Sequence, residues 1–152
     1  MEVTIKSTYE EMSRAAAELV AKVLNNKPDA VLGMATGSTP LGLYQELVKM
    51  HQSDGLDFSR VTTFNLDEYV GLQPSHDQSY HHFMHENFFK HLNIPAQNIN
   101  IPSGTTSNYR AFCEWSEQRI EERGGIDLQI LGIGSDGHIA FNAPTSSLSS
   151  RT

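Results

Sequence analysis

Short apolar segments alternate along this chain with longer segments of helical periodicity, and this alternation limits the folds that it can adopt. Two apolar segments, 30–35 and 126–133, are predicted as strands, and the second has the length and branched residues of a buried strand. Segment 61–66 is predicted as another strand of the series. Segments 2–5 and 98–101 are predicted as shorter strands. Because parallel strands are usually joined by helical crossovers, the pattern predicts an α/β fold with a mostly parallel sheet and helices on both faces.

Apolar residues three and four positions apart predict four helices between these strands. Residues 7–10 resemble a capping box at the start of the first helix. Ser79 is a candidate cap for the third, whose aromatic residues are expected in the core. The face of the first helix that we expect to be buried carries Met12, Ala16, Leu19, Val20 and Val23. The other helices are predicted at 40–51, 79–92 and 109–123.

Composition is that of an ordinary globular protein, and the 152 residues suit a single domain over 1–152. A net charge of −7 with scattered basic residues argues against binding to nucleic acid or to an anionic membrane. Neither a signal peptide nor a long apolar run is present, so a cytoplasmic location is expected. Cys113 is the only cysteine, which excludes an intrachain disulfide, and we expect it to be a buried packing residue.

Three loops of small and acidic residues each follow a predicted strand, so a parallel sheet would bring them to one rim, where such sheets bind ligands. The first, at 36–40, offers hydroxyls and free N–H groups at a helix N-terminus, which favours an anion such as phosphate. A plain helix cap explains this loop equally well. It has neither the spacing of a Walker loop nor a full GxGxxG pattern.

The other two loops carry candidate groups for proton transfer. Asp67 and Glu68 follow the strand at 61–66, and a carboxylate there could act as a base if it is desolvated. A turn with solvated acids is the simpler interpretation. Asp136 precedes His138 by two residues and could fix the tautomer of its imidazole, although a structural histidine in a tight loop fits the same pattern.

A metal site is the other chemistry that the histidines suggest. His81, His82 and His85 fall in one predicted helix, and positions 81 and 85 share a face. There is no HExxH pattern, and no further ligand can be named. A solvated helix face is therefore the better interpretation, and we predict no metal.

Three motifs occur in an order that is far more specific than any one of them: ATGSTP at 35–40, NLDEYVGL at 65–72 and LGIGSDGHIAFN at 131–142. Together they resemble the glucosamine-6-phosphate deaminase family, and the likeness runs across essentially the whole chain. The resemblance implies a Rossmann-like fold and the isomerising deamination of glucosamine 6-phosphate to fructose 6-phosphate and ammonia, which we class with hydrolases acting on C–N bonds. It implies no cofactor, and it leaves both a monomer and a homo-oligomer open.

The resemblance also implies roles for individual residues. Asp67 matches the base that moves a proton between C2 and C1, and His138 matches the residue that assists ring opening at the ring oxygen. Asp136 matches the acid that orients and charges this histidine. The residues that the resemblance implies for substrate binding are Gly37, Ser38 and Thr39 of the phosphate loop and Tyr80 near the entrance.

The chain departs from the family pattern in two ways. Ala143 stands where the family has a glutamate beside the ring-opening histidine, so we expect ring opening to be impaired and substrate binding to be less affected. Family members also continue well past Thr152, so we expect this chain to be the N-terminal part of the family's catalytic domain. The part beyond it carries basic residues that complete the phosphate site. A 6-phosphogluconolactonase-like hydrolase and a non-catalytic sugar-phosphate binding module remain as alternatives.

Overall fold

The computed structural model describes residues 2–140 and 142–147. In these ranges, four α-helices alternate with four strands. The helices are α1 (Tyr9–Asn26), α2 (Leu41–Asp54), α3 (Tyr80–Asn87) and α4 (Tyr109–Glu122). The strands are β1 (Val31–Met34), β2 (Thr62–Asn65), β3 (Ile99–Asn100) and β4 (Leu128–Gln129). Two short 3-10 turns, Phe89–His91 and Ala96–Asn98, lie between α3 and β3.

The four strands form one parallel sheet in the order β3-β2-β1-β4. The chain adds β2 and β3 on one side of β1 and then crosses back to add β4 on the other side. In open α/β sheets, such a reversal leaves a crevice outside the carboxyl ends of the two strands, where ligands bind. Here the crevice lies between the loops that follow β1 and β4.

Helices cover both faces of the sheet, as the sequence predicts. On one face, Leu32 and Met34 of β1 join a buried core with Tyr44 and Leu47 of α2. Side chains alternate along a strand, so Thr62 of β2, which is followed by the core-facing Thr63, faces the other way. There its hydroxyl accepts a hydrogen bond of 3.1 Å from Arg123, in the turn after α4.

The predicted third helix ends earlier than expected. Ser79 is its cap, as predicted, and the hydroxyl accepts a hydrogen bond of 3.0 Å from the N–H of His82. The helix stops at Asn87 because Phe88 leaves the helical conformation with φ −143°. Its aromatic residues divide between two places: Phe88 and Phe89 are buried in the core, whereas Tyr80 lies at the end of the sheet near the crevice.

The cap of the first helix lies one residue later than expected and differs from a full capping box, because the Glu11 carboxylate accepts its hydrogen bond from the N–H of Ser7, the residue before the cap. Thr8 is the cap and accepts a hydrogen bond of 3.1 Å from the N–H of Glu11. The predicted buried face is wrong in part, because Met12 and Leu19 are exposed. The buried residues of this helix are Ser13, Ala17, Val20 and Leu24, of which only Val20 was predicted.

The buried face of α1 differs from the predicted one because α1 packs closely against α2. A Cβ atom added at Gly42 of α2 would lie 2.3 Å from the Ser13 hydroxyl and 2.7 Å from the Tyr9 ring. Glycine at position 42 is what allows the two helices to approach so closely. Hydrophobic periodicity favours the face with larger apolar residues, and it therefore misplaced the contact.

The strand predicted at 2–5 does not form, and Val3 and Ile5 are exposed. An isolated segment has no neighbour to satisfy its backbone N–H and C=O groups, so it does not become a strand on propensity alone. Among residues 2–140 and 142–147, nothing pairs with it.

The segment at 126–133, predicted as a buried strand, is also shorter and more exposed than expected. Only two of its residues, Leu128 and Gln129, belong to β4, and both are partly buried. In the described part of the chain, β4 pairs with β1 alone, so its other edge has no strand beside it. Ile133 is 75% exposed, in agreement with this edge position.

The fourth helix lies on the surface, and none of its residues is buried. Cys113 is exposed on this helix, so the prediction of a buried packing residue is wrong. The sequence pattern placed Cys113 in a helix, but it did not show that this helix lies on the surface of the protein. Within the part of the chain that the structure describes, no helix is both long and apolar enough to cross a membrane.

The core predicts a strong contrast between two leucine substitutions. Leu47 is fully buried between α2 and the sheet, whereas Leu19 is 64% exposed on α1. Leu47→Ala should lower the free energy of unfolding by about 2–5 kcal/mol because it leaves a cavity. Leu19→Ala, the matched control, should change it by less than about 0.5 kcal/mol. Urea unfolding followed by circular dichroism measures both, and equal losses would contradict the described packing.

Candidate active site

Three loops meet in one open cavity of about 340 Å³ at the carboxyl ends of β1, β2 and β4. Residues 35–40 line one side, Asp67 and Tyr80 line another, and residues between 131 and 140 close the third. The prediction that these loops reach one rim is therefore confirmed. The cavity occupies the crevice that the strand order creates.

The loop after β1 is held in place by two tyrosines that the sequence did not point to. The Tyr9 hydroxyl lies 2.8 Å from the carbonyl oxygen of Ser38 and 3.0 Å from that of Thr39. The buried Tyr44 hydroxyl donates a 2.5 Å hydrogen bond to the carbonyl oxygen of Ala35. Pro40, the cap residue of α2, makes no side-chain hydrogen bond, but the Tyr9 hydroxyl accepts one of 2.8 Å from the N–H of Gly42 in the first turn of this helix. The positive end of the helix dipole at this loop favours an anion.

Asp67 lines the cavity together with this loop and is partly buried. Burial raises the pKa of its carboxyl group, and the negative charge of Glu68 raises it further. Tyr80 also lines the cavity, and its pKa is raised to about 12, chiefly by burial, with further contributions from a hydrogen bond with Tyr69 and from the charge of Asp67. Near neutral pH, the cavity therefore presents a carboxylate with increased proton affinity beside a protonated phenol.

Glu68 is not a solvated acid, as the simpler interpretation of this loop required. Its side chain is only 1% exposed. The carboxylate accepts hydrogen bonds from the backbone N–H groups of Tyr69, Tyr80 and His81, and it lies 2.9 Å from Nδ1 of His81. Burial opposes ionisation of Glu68, but these hydrogen bonds outweigh it, so its pKa is lowered.

The loop after β4 pairs the acid with the imidazole, as its spacing suggests. Nδ1 of His138 lies 2.6 Å from Oδ1 of Asp136, and the same oxygen accepts a 3.2 Å hydrogen bond from the His138 backbone N–H. The bond to the imidazole is the main reason that the pKa of Asp136 is lowered. His138 lines the cavity, and Asp136 lies behind it and holds the ring.

A glycine makes this geometry possible. A Cβ atom at Gly134 would lie 2.1 Å from the His138 ring and 2.7 Å from Oδ1 of Asp136. Its N–H donates a 2.9 Å hydrogen bond to the His138 carbonyl oxygen, which closes the turn. Ala140, which also lines the cavity, has φ 53°, a left-handed conformation that is uncommon for a residue with a side chain.

No lysine or arginine is among the described residues that line the cavity. Nor do residues 2–140 and 142–147 contain a group of three or more His, Cys, Asp or Glu side chains placed to hold a metal ion. Of the three helical histidines, His81 pairs with Glu68 and His85 is exposed. The cavity combines a loop at a helix N-terminus with two separate acid–base groups, a set suited to proton transfer.

Residues 4–147 match the protein family described as glucosamine-6-phosphate isomerases/6-phosphogluconolactonase. The chain belongs to this family. The glucosamine-6-phosphate deaminase of Thermoanaerobacter sp. (strain X514) is 55% identical over 100% of this chain and 60% of the relative. Glucosamine-6-phosphate deaminase 2 of Bacillus subtilis (strain 168) is 51% identical over 100% of the chain and 61% of the relative. The chain thus spans about 60% of the length of these curated relatives.

Solved structures of the family confirm the predicted fold. A monomeric glucosamine-6-phosphate deaminase has a TM-score of 0.96 and 45% identity, covering 99% of this chain and 63% of that protein. The 6-phosphogluconolactonase of Thermotoga maritima has a TM-score of 0.73 and 25% identity, covering 90% and 61%. The deaminase and isomerase names among these relatives do not support our classification as a hydrolase of C–N bonds.

The turn at residues 134–138 predicts that one of two glycine substitutions disturbs the Asp136–His138 pair and the other does not. Gly134→Ala should displace the His138 ring and break its hydrogen bond with Asp136, so the pKa of Asp136 should rise toward its ordinary value. Gly132→Ala is the matched control, because its nearest neighbour would be Thr39 at 3.9 Å, an ordinary contact. Carboxyl ¹³C NMR titration measures the pKa of Asp136, and an unchanged pKa in Gly134→Ala would show that the turn does not hold the pair.

Proposed function

We propose that this chain carries the catalytic cavity of a glucosamine-6-phosphate deaminase, which converts glucosamine 6-phosphate and water to fructose 6-phosphate and ammonia. The observation that carries the proposal is the meeting of the phosphate loop, Asp67 and the Asp136–His138 pair around one cavity. Whole-chain identity of 55% to a protein named as this deaminase supports it. In this proposal the protein acts in the cytoplasm, in amino-sugar catabolism, without a cofactor.

The phosphate group of the substrate would bind at Gly37, Ser38 and Thr39. The hydroxyls of the last two and the N-terminal end of α2 supply donors and a partial positive charge of roughly half an elementary charge. A dianionic phosphate needs more compensation than this, and no lysine or arginine lines the described part of the cavity. We therefore propose that basic residues outside this chain, such as those of the longer relatives, strengthen phosphate binding.

His138 would open the sugar ring. Its Nδ1 is bonded to Asp136, so Nε2 is the nitrogen free to exchange a proton with the substrate. Nε2 can accept the proton of the C1 hydroxyl and deliver it to the ring oxygen as the C1–O bond breaks, which leaves an open-chain aldehyde. Asp136 would stabilise the imidazolium that exists between these two transfers.

Asp67 would then move the proton that converts the aldose to the ketose. Its carboxylate takes the proton from C2 and returns it to C1. The C1 oxygen gains a proton as the carbonyl becomes a hydroxyl, and the amino nitrogen loses one, so the double bond now joins C2 to the nitrogen as an imine. Water adds to this imine, and ammonia leaves to give the ketone. The raised pKa of Asp67 suits this role, because a base works best when its pKa approaches the operating pH.

An assay of fructose 6-phosphate and ammonia tests the proposal and the position of Ala143. We would assay this chain and a fusion that continues it with the remaining part of the Bacillus subtilis relative. The fusion should form both products. Ala143→Glu should raise its kcat by ~10²–10⁴ with little change in KM, because it restores an acid–base partner of His138. Ala143→Gln is the uncharged control and should give little gain. Hydrolysis of 6-phosphogluconolactone without fructose 6-phosphate would instead support the lactonase alternative.

A second prediction isolates Asp67. Asp67→Asn should abolish exchange of the C2 proton with solvent, measured by NMR in deuterated water, while binding of a phosphate ligand stays largely intact. Asp54→Asn, an exposed substitution at the end of α2, is the control and should change neither. The base form of Asp67 is lost as pH falls through its raised pKa, so exchange should decline at a pH above the ordinary aspartate value of about 3.9. Undiminished exchange in Asp67→Asn would remove Asp67 from this role.

A further inference from the structure

We propose that Glu68 is a positioning residue of this cavity: it ties the loop after β2 to the first turn of α3 and thereby fixes Asp67 relative to Tyr80. The proposed function assigns no role to Glu68. The inference rests on that function only where it concerns the effect on catalysis. The placement of the two cavity residues can be measured without any turnover.

Each oxygen of the Glu68 carboxylate has two hydrogen-bond partners. Oε1 accepts hydrogen bonds from the N–H groups of Tyr69 at 2.8 Å and of Tyr80 at 2.9 Å. Oε2 accepts one from the N–H of His81 at 3.1 Å and lies 2.9 Å from its Nδ1. Because the side chain is almost fully buried, each of these donors would lack water if the carboxylate were removed.

These contacts complete the N-terminus of α3. The first N–H groups of a helix have no partner within the helix. Ser79, the cap residue, satisfies the third of them, that of His82, and Glu68 satisfies the first two, those of Tyr80 and His81. A negative charge at this end also interacts favourably with the helix dipole. Glu68 therefore acts as a second cap, supplied by a different loop.

The loop is held from its other side by Gly104. The N–H of Gly71 donates a 2.7 Å hydrogen bond to the Gly104 carbonyl oxygen. A Cβ atom at Gly104 would lie 2.4 Å from the carbonyl oxygen of Tyr69 and 2.6 Å from that of Leu72. The loop thus lies between α3 and the backbone at Gly104, and it cannot move without breaking one of the two attachments.

Both ends of the Glu68 attachment belong to the cavity wall. Asp67 is the preceding residue, and Tyr80 supplies one of the bonded N–H groups and packs its ring at 4.8 Å on that of Tyr69. The titratable groups around the two acids are these tyrosines, His81 of α3 and, across the cavity, His138. Glu68 supplies the neighbouring negative charge that raises the pKa of Asp67. Removing it should both loosen the wall and lower that pKa.

The test compares Glu68→Gln with Glu86→Gln, a substitution at a partly exposed residue of α3 whose carboxylate pairs with Lys90. Carboxyl ¹³C NMR gives the pKa of Asp67, and hydrogen exchange reports the Tyr80 and His81 amides. Glu68→Gln should lower the pKa of Asp67 and speed exchange at both amides. In the active fusion, it should reduce kcat by roughly 10- to 100-fold with a small change in KM, and move the acidic limb of the pH profile downward. Glu86→Gln should do none of these.

The outcomes separate the two proposals. A folded Glu68→Gln protein with an unchanged pKa of Asp67 and unchanged amide exchange overturns the positioning role. A second outcome is that Glu68→Gln changes the pKa of Asp67 and the amide exchange, but the fusion has no deaminase activity with either glutamate or glutamine at position 68. That outcome would support the positioning role and count against the proposed function. Should Glu68→Gln fail to fold, Glu68→Asp keeps the charge but shortens the reach. It should speed exchange at the Tyr80 and His81 amides, and unchanged protection there would overturn the proposal.

Discussion

The parallel pairing of β1 with β2 is the interaction on which the rest of the structure depends. Both strands are buried along their whole length and run in register from Val31 beside Thr62 to Met34 beside Asn65. Because the two strands end level with each other, the loops that follow them leave the sheet side by side. β4 pairs with the other side of β1, and this brings the loop after β4, which carries His138, to the same rim. The cavity is a consequence of this strand order, and no single loop could form it.

Within the cavity, two adjacent carboxyl groups are driven in opposite directions by their surroundings. Asp67 faces the cavity, and burial together with a neighbouring charge raises its pKa. Glu68 points away into a cluster of N–H donors, and its pKa is lowered. One acid can therefore exchange a proton with a ligand while the other remains a fixed anion that shapes the wall. Such divergence between neighbouring groups is typical of acid–base sites, because it gives chemically similar residues different tasks.

The fold could be predicted from the sequence where an element's own pattern determines its burial. The segment 30–35 is apolar because it lies in the middle of the sheet, and its pattern shows this directly. The segment 61–66 is also central, although three of its buried residues, Thr62, Thr63 and Asn65, are polar. The segment 126–133 looks like 30–35 but lies at an edge among the described strands, and a pattern along one chain does not reveal how many neighbours a strand has. The buried face of α1 was misjudged for a related reason, since Ser13 is buried by its contact with Gly42 of another helix, which the pattern along α1 does not include.

The sequence by itself determined which chemical groups the site contains: the hydroxyl and glycine loop at 36–40, Asp67, and the Asp136–His138 pair, whose two-residue spacing brings acid and imidazole together locally. Only the tertiary structure decided which groups hold them. Tyr9 reaches the loop after β1 from about 30 residues away, and Glu68 finds its partners on a helix that begins 12 residues later. A carboxylate beside Asp67 looks solvated in the sequence because its burial depends on unpaired N–H groups at the end of α3, and these face it only after the chain has folded.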